Sequence, residues 1–98
     1  MKFQELDFQP HPNFCNRDSF FYDASAIQAV VRFDNDYGAS VVRFNGSKGY
    51  FQGLYEMAIL KFTDEDFKLC YLEEYGNDVI GYLTKENVEE LLNTIENF

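Results

Sequence analysis

Two short runs of alternating apolar residues constrain this chain more than anything else in it. Residues 26–33 and 39–44 are rich in β-branched side chains, and Asp34-Asn35-Asp36-Tyr37-Gly38 between them is dense in turn formers. A period of two fits a pleated strand and not a helix. Two such runs joined by so short a polar segment lie side by side and antiparallel. Register follows from which face is buried. Placing Ile27, Ala29 and Val31 on one face with Val42 and Phe44 requires an even loop count, or a bulge that restores it. Val30 is then expected opposite or beside Val41 on the other face.

Further strands are expected at residues 55–62, 68–72 and 79–83, separated by the polar turns Thr63-Asp64-Glu65-Asp66 and Tyr75-Gly76-Asn77-Asp78. Asn45-Gly46-Ser47-Lys48-Gly49 reads as a mobile loop. The pattern then changes period. Val88, Leu91, Leu92 and Ile95 follow the i, i+3, i+4, i+7 spacing of one buried helical stripe, with Glu86, Glu89, Glu90 and Glu96 off it. Thr84 is placed to cap this helix, and Leu83 with Val88 to staple its start. Glu86 suits the helix dipole, whereas Glu96 at the far end opposes it. Residues 1–25 lack a period but carry Phe3, Phe8, Phe14, Phe20, Phe21 and Tyr22. They read as an irregular segment that wraps over the fold, with a short strand at 2–8 and a surface histidine, His11, held extended between two prolines.

These elements make one α+β domain over residues 1–98, with the wrapping segment at 1–25, the sheet at 26–83 and the helix at 84–98. An antiparallel sheet of four to five strands carries the C-terminal amphipathic helix packed on one face. The opposite face is expected to mix Arg32, Arg43 and Lys61 with Val30, Val41, Met57 and Ile59.

Composition excludes several classes of protein. With 46% apolar residues and 18% aromatics, the chain has enough to bury and is no acidic disordered segment. It contains no apolar run long enough to span a membrane, and residues 1–7 lack the apolar stretch of a secretory signal, so a cytoplasmic location is expected. Cys15 and Cys70 are then read as reduced, buried thiols, and with His11 as the only histidine they make no zinc site.

No constellation carries chemistry. Asp34-Asn35-Asp36-Tyr37-Gly38 lacks the later ligands of a calcium loop, and a hairpin turn explains it. Gly46-Ser47-Lys48-Gly49 lies between strands, not before the helix that a phosphate loop needs. Nothing activates Cys15 as a nucleophile, and since adjacent residues of a strand point to opposite faces, a strand would not bring Glu73 and Glu74 onto one substrate atom. No enzyme activity, cofactor or metal is expected.

Charge is the remaining signal. From residue 63 onward ten carboxylates face only Lys68 and Lys85, a net −8 of the whole chain's −9. With a pI near 4.3, this field repels nucleic acid and anionic membranes. Asp64, Glu65, Asp66, Glu73, Glu74, Glu86, Glu89 and Glu90 are the candidate partner-binding residues. Their plain alternative is a solvated face that keeps the protein soluble.

Three stretches carry a resemblance. Asp34-Asn35-Asp36-Tyr37-Gly38-Ala39-Ser40-Val41-Val42-Arg43, Gly53-Leu54-Tyr55-Glu56-Met57-Ala58-Ile59-Leu60-Lys61-Phe62 and Asp78-Val79-Ile80-Gly81-Tyr82-Leu83-Thr84 resemble a family of small, functionally uncharacterised proteins encoded by bacteriophages and prophages. The likeness covers roughly residues 30–95. It implies a phage-type origin and the host cytoplasm, supplies no catalytic residues to carry over, and favours an inhibitor among the roles open to a small acidic protein. The expected function is non-enzymatic binding of a basic host protein surface, as a nucleic-acid mimic. The alternative is a structural or assembly module that forms a homodimer through the exposed sheet face around Val30, Val41 and Ile59. Direct nucleic-acid binding would require Arg32, Arg43, Lys48 and Lys61 to converge.

Overall fold

The structure, a computed structural model, describes residues 1–12, 24–63, 67–69 and 79–98. The six strands are β1 (Gln9–Pro10), β2 (Ile27–Arg32), β3 (Tyr37–Arg43), β4 (Tyr55–Phe62), β5 (Phe67–Leu69) and β6 (Val79–Leu83), and the helix α1 spans Lys85–Glu96. All pairings are antiparallel, in the order β1-β2-β3-β4-β5, with β6 also on β4. β5 pairs with Leu60–Phe62, while β6 pairs with Tyr55, Met57 and Ala58, so the two short strands share one edge of β4. Four of these strands and the helix stand where the periodicities place them. The strand expected at 68–72 begins at Phe67, and its second half lies outside the described residues, as do Cys15 and Cys70.

The hairpin forms, but its register differs from the expected one. Phe33 and Tyr37 close it, with Phe33 N–H donating to Tyr37 O at 2.8 Å and Asp36 N–H to Phe33 O at 3.0 Å. Asp36 takes the left-handed conformation, φ 68°. A three-residue loop of this kind is a common hairpin solution, and its odd count pairs odd residues with odd ones: Ala29 with Val41, and Val31 with Ala39. Val30 faces Ser40, not Val41. A shift of one residue exchanges the faces of a whole strand, so Ala39 and Val41 join the core and Val42 leaves it.

That register decides what the helix covers. Ala29, Ala39, Val41, Tyr55, Met57, Ile59 and Leu83 pack under Val88, Leu91, Leu92 and Ile95, with Leu6 closing the side. Val41 and Met57 are wholly buried and Ile59 nearly so. These three therefore do not belong to the outer face; of the residues expected at a homodimer interface, Val41 and Ile59 are buried and Val30 is exposed. The second face carries Gln28, Val30, Arg32, Ser40, Val42, Ala58 and Leu60, with Val30 prominently exposed. Arg43 and Lys61 leave the sheet on the helix side.

The start of α1 is built as its sequence indicates. Thr84 Oγ1 accepts from Asn87 N–H at 3.1 Å, and Asn87 Oδ1 accepts from Thr84 N–H at 3.2 Å. This reciprocal cap satisfies two backbone donors that would otherwise be free.

Two further expectations are corrected. Residues 2–8 are not a strand: Phe3–Glu5 form one 3-10 turn, and pairing begins only at Gln9. The turn directs Phe3 and Phe8 onto Tyr55, with ring centroids 5.2–5.8 Å apart, and that aromatic burial prevails over an isolated edge strand. The loop at residues 45–49 is tied down. Ser47 is buried, its hydroxyl donating to Phe44 O at 2.8 Å and accepting from Phe44 N–H at 3.1 Å.

His11 is no surface residue either. It is 6% exposed, its backbone N–H reaches Ala26 O at 2.9 Å, and its ring meets Phe44 edge-on at 5.6 Å. Burial disfavours the imidazolium and lowers its pKa from the ordinary 6.5. The unfolded chain then takes up the proton first, so stability falls as pH drops through 6.5 and levels off below the lowered folded value. The urea midpoint is expected to be lower at pH 5.5 than at pH 7.5. His11→Gln is expected to flatten this step, and an equal step in the variant would exclude His11 as its origin.

Candidate functional site

The helix sets the site. Its buried stripe leaves Glu86, Glu89, Glu90, Asn93 and Glu96 on the outer half of the cylinder, and their spacing sorts them into two groups. Glu89, Asn93 and Glu96 recur at i, i+4, i+7 on the flank toward residues 1–6. Glu86 and Glu90 lie one turn apart on the crest.

The first group holds the N-terminal segment. Glu89 Oε1 accepts from Phe3 N–H at 2.9 Å. The Met1 amino group donates to Asn93 Oδ1 at 2.8 Å and to Glu96 Oε1 at 2.9 Å. The unfavourable position of Glu96 at the negative end of the helix is thus answered by a cation from the other end of the chain. Of the expected binding residues, Glu89 has a structural duty. This escaped sequence reasoning because its partner is 86 positions away. The misplaced charge of Glu96 was the signal that something cationic covers that end.

The second group is unpaired among the described residues. The carboxylates of Glu86 and Glu90 accept no hydrogen bond and join no ion pair among the described residues, and both are exposed. Like charges one turn apart cost an isolated helix about 0.2–0.5 kcal/mol, and Glu86, in the first turn, is favoured by the helix dipole. Glu86 and Glu89 stand at the rim of an open cleft of about 480 Å³ between the N-terminal turn and the start of α1. Phe3, Leu6 and Phe8 form its apolar wall, and Lys85 Nζ lies 5.7 Å from the centre of the Phe3 ring. Glu90 borders a smaller cleft of about 240 Å³ with Ile80, Leu83 and Leu91. Carboxylates beside apolar walls suit lysine or arginine side chains, whose stems are apolar and whose heads are charged. Asp64, Glu65, Asp66, Glu73 and Glu74 lie outside the described residues.

Among the described residues no cation forms an ion pair with Glu86 or Glu90, and Lys85 lines the same cleft as Glu86. Arg32 lies over Phe62 at 5.2 Å, Arg43 over Tyr50 at 5.6 Å and Lys61 over Tyr37 at 4.7 Å, as Lys85 does over Phe3. Arg32 also bonds Asp36 at 2.7 Å. Nor do Arg32, Arg43, Lys48 and Lys61 form a nucleic-acid patch. Arg32 is on the second face. Lys61 pairs with Tyr37, six residues along β3 from Arg43, about 20 Å at 3.3 Å per residue.

Among the described residues no three His, Cys, Asp or Glu side chains converge as metal ligands, and no helix is long and apolar enough to cross a membrane. Compared with protein-family models, curated proteins and solved structures, the chain matches none.

Proposed function

We propose that this is a non-enzymatic, phage-type acidic binding protein that engages a basic protein surface in the host cytoplasm, one that ordinarily holds nucleic acid. The observation that carries the reading is the imbalance on α1. Glu86 and Glu90 have no cationic partner among the described residues, while Arg32, Arg43, Lys61 and Lys85 stack on aromatic rings. A chain of net charge −9 that leaves carboxylates unpaired on a rigid helix presents a field that attracts cationic grooves and speeds encounter with them. The clefts beside Glu86, Glu89 and Glu90 supply apolar contact for the stems of arriving lysines and arginines.

The test combines salt and charge reversal. The protein is used to capture binding proteins from bacterial lysate at low salt, and each is then titrated individually. Affinity is expected to fall at least tenfold between 50 and 300 mM salt, roughly the screening expected for several exposed charges. Glu86→Lys with Glu90→Lys is expected to weaken binding about tenfold or more, with the helical circular dichroism unchanged. The partner's nucleic acid is expected to compete. Affinity that is insensitive to both salt and charge reversal would sink the proposal.

A further inference from the structure

The outer edge of β2 is open where β1 ends. His11 N–H donates to Ala26 O across the β1–β2 ladder, and Phe33 N–H donates to Tyr37 O across β2–β3. Backbone groups alternate sides along an antiparallel strand. The even residues of β2 therefore direct N–H and C=O away from β3, toward β1. β1 pairs only as far as Gln28. Beyond it the N-terminal segment leaves to form its turn on the helix. Among the described residues nothing bonds the outward backbone groups of Val30 and Arg32, and Val30 is 52% exposed. Unpaired edge groups are a template for another strand.

A second feature lies beside that edge. On the helix side of β2 a cleft of about 490 Å³ is lined by Met1, Glu5, Val31, Arg32, Phe33 and Glu96. Two of its charges are already matched: Glu96 by the Met1 amino group and Arg32 by Asp36. Glu5 is not. Its carboxylate accepts from Lys2 N–H at 2.6 Å and meets no cation among the described residues.

We infer that β2 accepts an extended, basic segment of a partner protein as an added antiparallel strand. Residues of that segment opposite Val30 and Arg32 exchange up to four backbone hydrogen bonds with them, and their side chains lie on the second face beside Val30. The residue between them, opposite Val31, points into the cleft. A lysine or arginine there rests its stem on Val31 and Phe33 and its charge on Glu5. The fitting pattern is apolar–basic–apolar. A second copy of this chain fits poorly, because pairing two edges a few residues long would bring together two bodies of charge −9. This inference rests on the reading of the protein as a binder of basic partners, and adds to it the backbone-directed mode of strand addition.

The probe is a capped heptapeptide, lysine-threonine-valine-lysine-valine-threonine-lysine, titrated into the full chain at low salt and followed by amide chemical shifts. Saturable shifts centred on Val30 and Arg32 are expected. The same peptide N-methylated at both valine nitrogens keeps its charge but cannot donate to the edge, and it is expected to bind at least tenfold more weakly. Val30→Pro removes only an outward N–H, which an edge strand tolerates, and should weaken the parent peptide similarly. The N-methylated peptide decides the matter on the unaltered protein should that variant not fold. Equal binding by the two peptides would overturn strand addition while leaving charge attraction standing. Absence of binding by the parent peptide would also overturn it, as would edge shifts that follow protein concentration alone, the mark of self-pairing.

Discussion

Gly38→Ala is expected to destabilise the domain by about 3 kcal/mol or more, at the upper end of what overpacking causes. A Cβ at this position would fall well inside van der Waals contact with the Val31 carbonyl oxygen and 2.7 Å from the Phe62 ring. The first obstacle is backbone in the neighbouring strand, which has no rotamer through which to escape. Gly38 stands opposite Arg32 and Leu60 in the middle of the three best-paired strands, so the strain spreads into both ladders. Ser40→Ala, two positions along the same face, is the control. It loses one 2.9 Å hydrogen bond from Gln28 Nε2 and is expected to cost about 1 kcal/mol. Urea midpoints of the two variants decide the matter, and a Gly38→Ala midpoint no lower than that of Ser40→Ala would refute the close approach.

Leu92→Ala is the second large effect. Leu92 is fully buried at the centre of the helical stripe, between Val88 and Ile95 and above the sheet face formed by Ala39, Val41 and Met57. Truncation removes the transfer energy of its methyl groups and leaves a cavity that a sheet on one side and a helix on the other cannot readily close. The expected loss is about 2–5 kcal/mol, out of a total stability of about 5–15 kcal/mol for a domain of this kind. A loss of 3 kcal/mol lowers the melting temperature by about 12–24 °C at this chain length. Glu90→Ala on the outer face is expected to change it by only a few degrees, so a comparable drop in both variants would mean that the helix is not packed as described.

The features legible in the sequence were those set by local chemistry. β4 is found at Tyr55–Phe62, where its apolar run lies, and α1 starts where Thr84 can cap it and buries the four residues of its stripe. The register of the hairpin was not legible, because alternation alone fits either parity of loop. The loop's odd count depends on Asp36 accepting a left-handed backbone, which an aspartate does less often than a glycine. Three residues assigned to the outer face, Val41, Met57 and Ile59, moved to the core through that one choice. Of the candidate residues, only their places along the helix were legible. The crest position of Glu86 and Glu90 follows from helical spacing, whereas the tie of Glu89 to Phe3 depends on where the two ends of the chain meet. The burial of His11, read as a surface residue between two prolines, and of Ser47, in a segment read as a mobile loop, was not legible, because it depends on partners distant in the fold or in the loop's own backbone.

Asn35 carries a consequence of its own. Its amide uses both ends: Oδ1 accepts from Tyr37 N–H at 3.0 Å inside the hairpin turn, while Nδ2 donates to Ile95 O at 2.9 Å and Glu96 O at 3.3 Å. One turn residue thus shapes the β2–β3 connection and closes the last carbonyls of a helix sixty positions away. Aspartate would keep the first role and fail the second, since it has no N–H to give and would set a negative charge at the negative end of the helix dipole. Asn35→Asp would therefore cut this tie from the helix side alone.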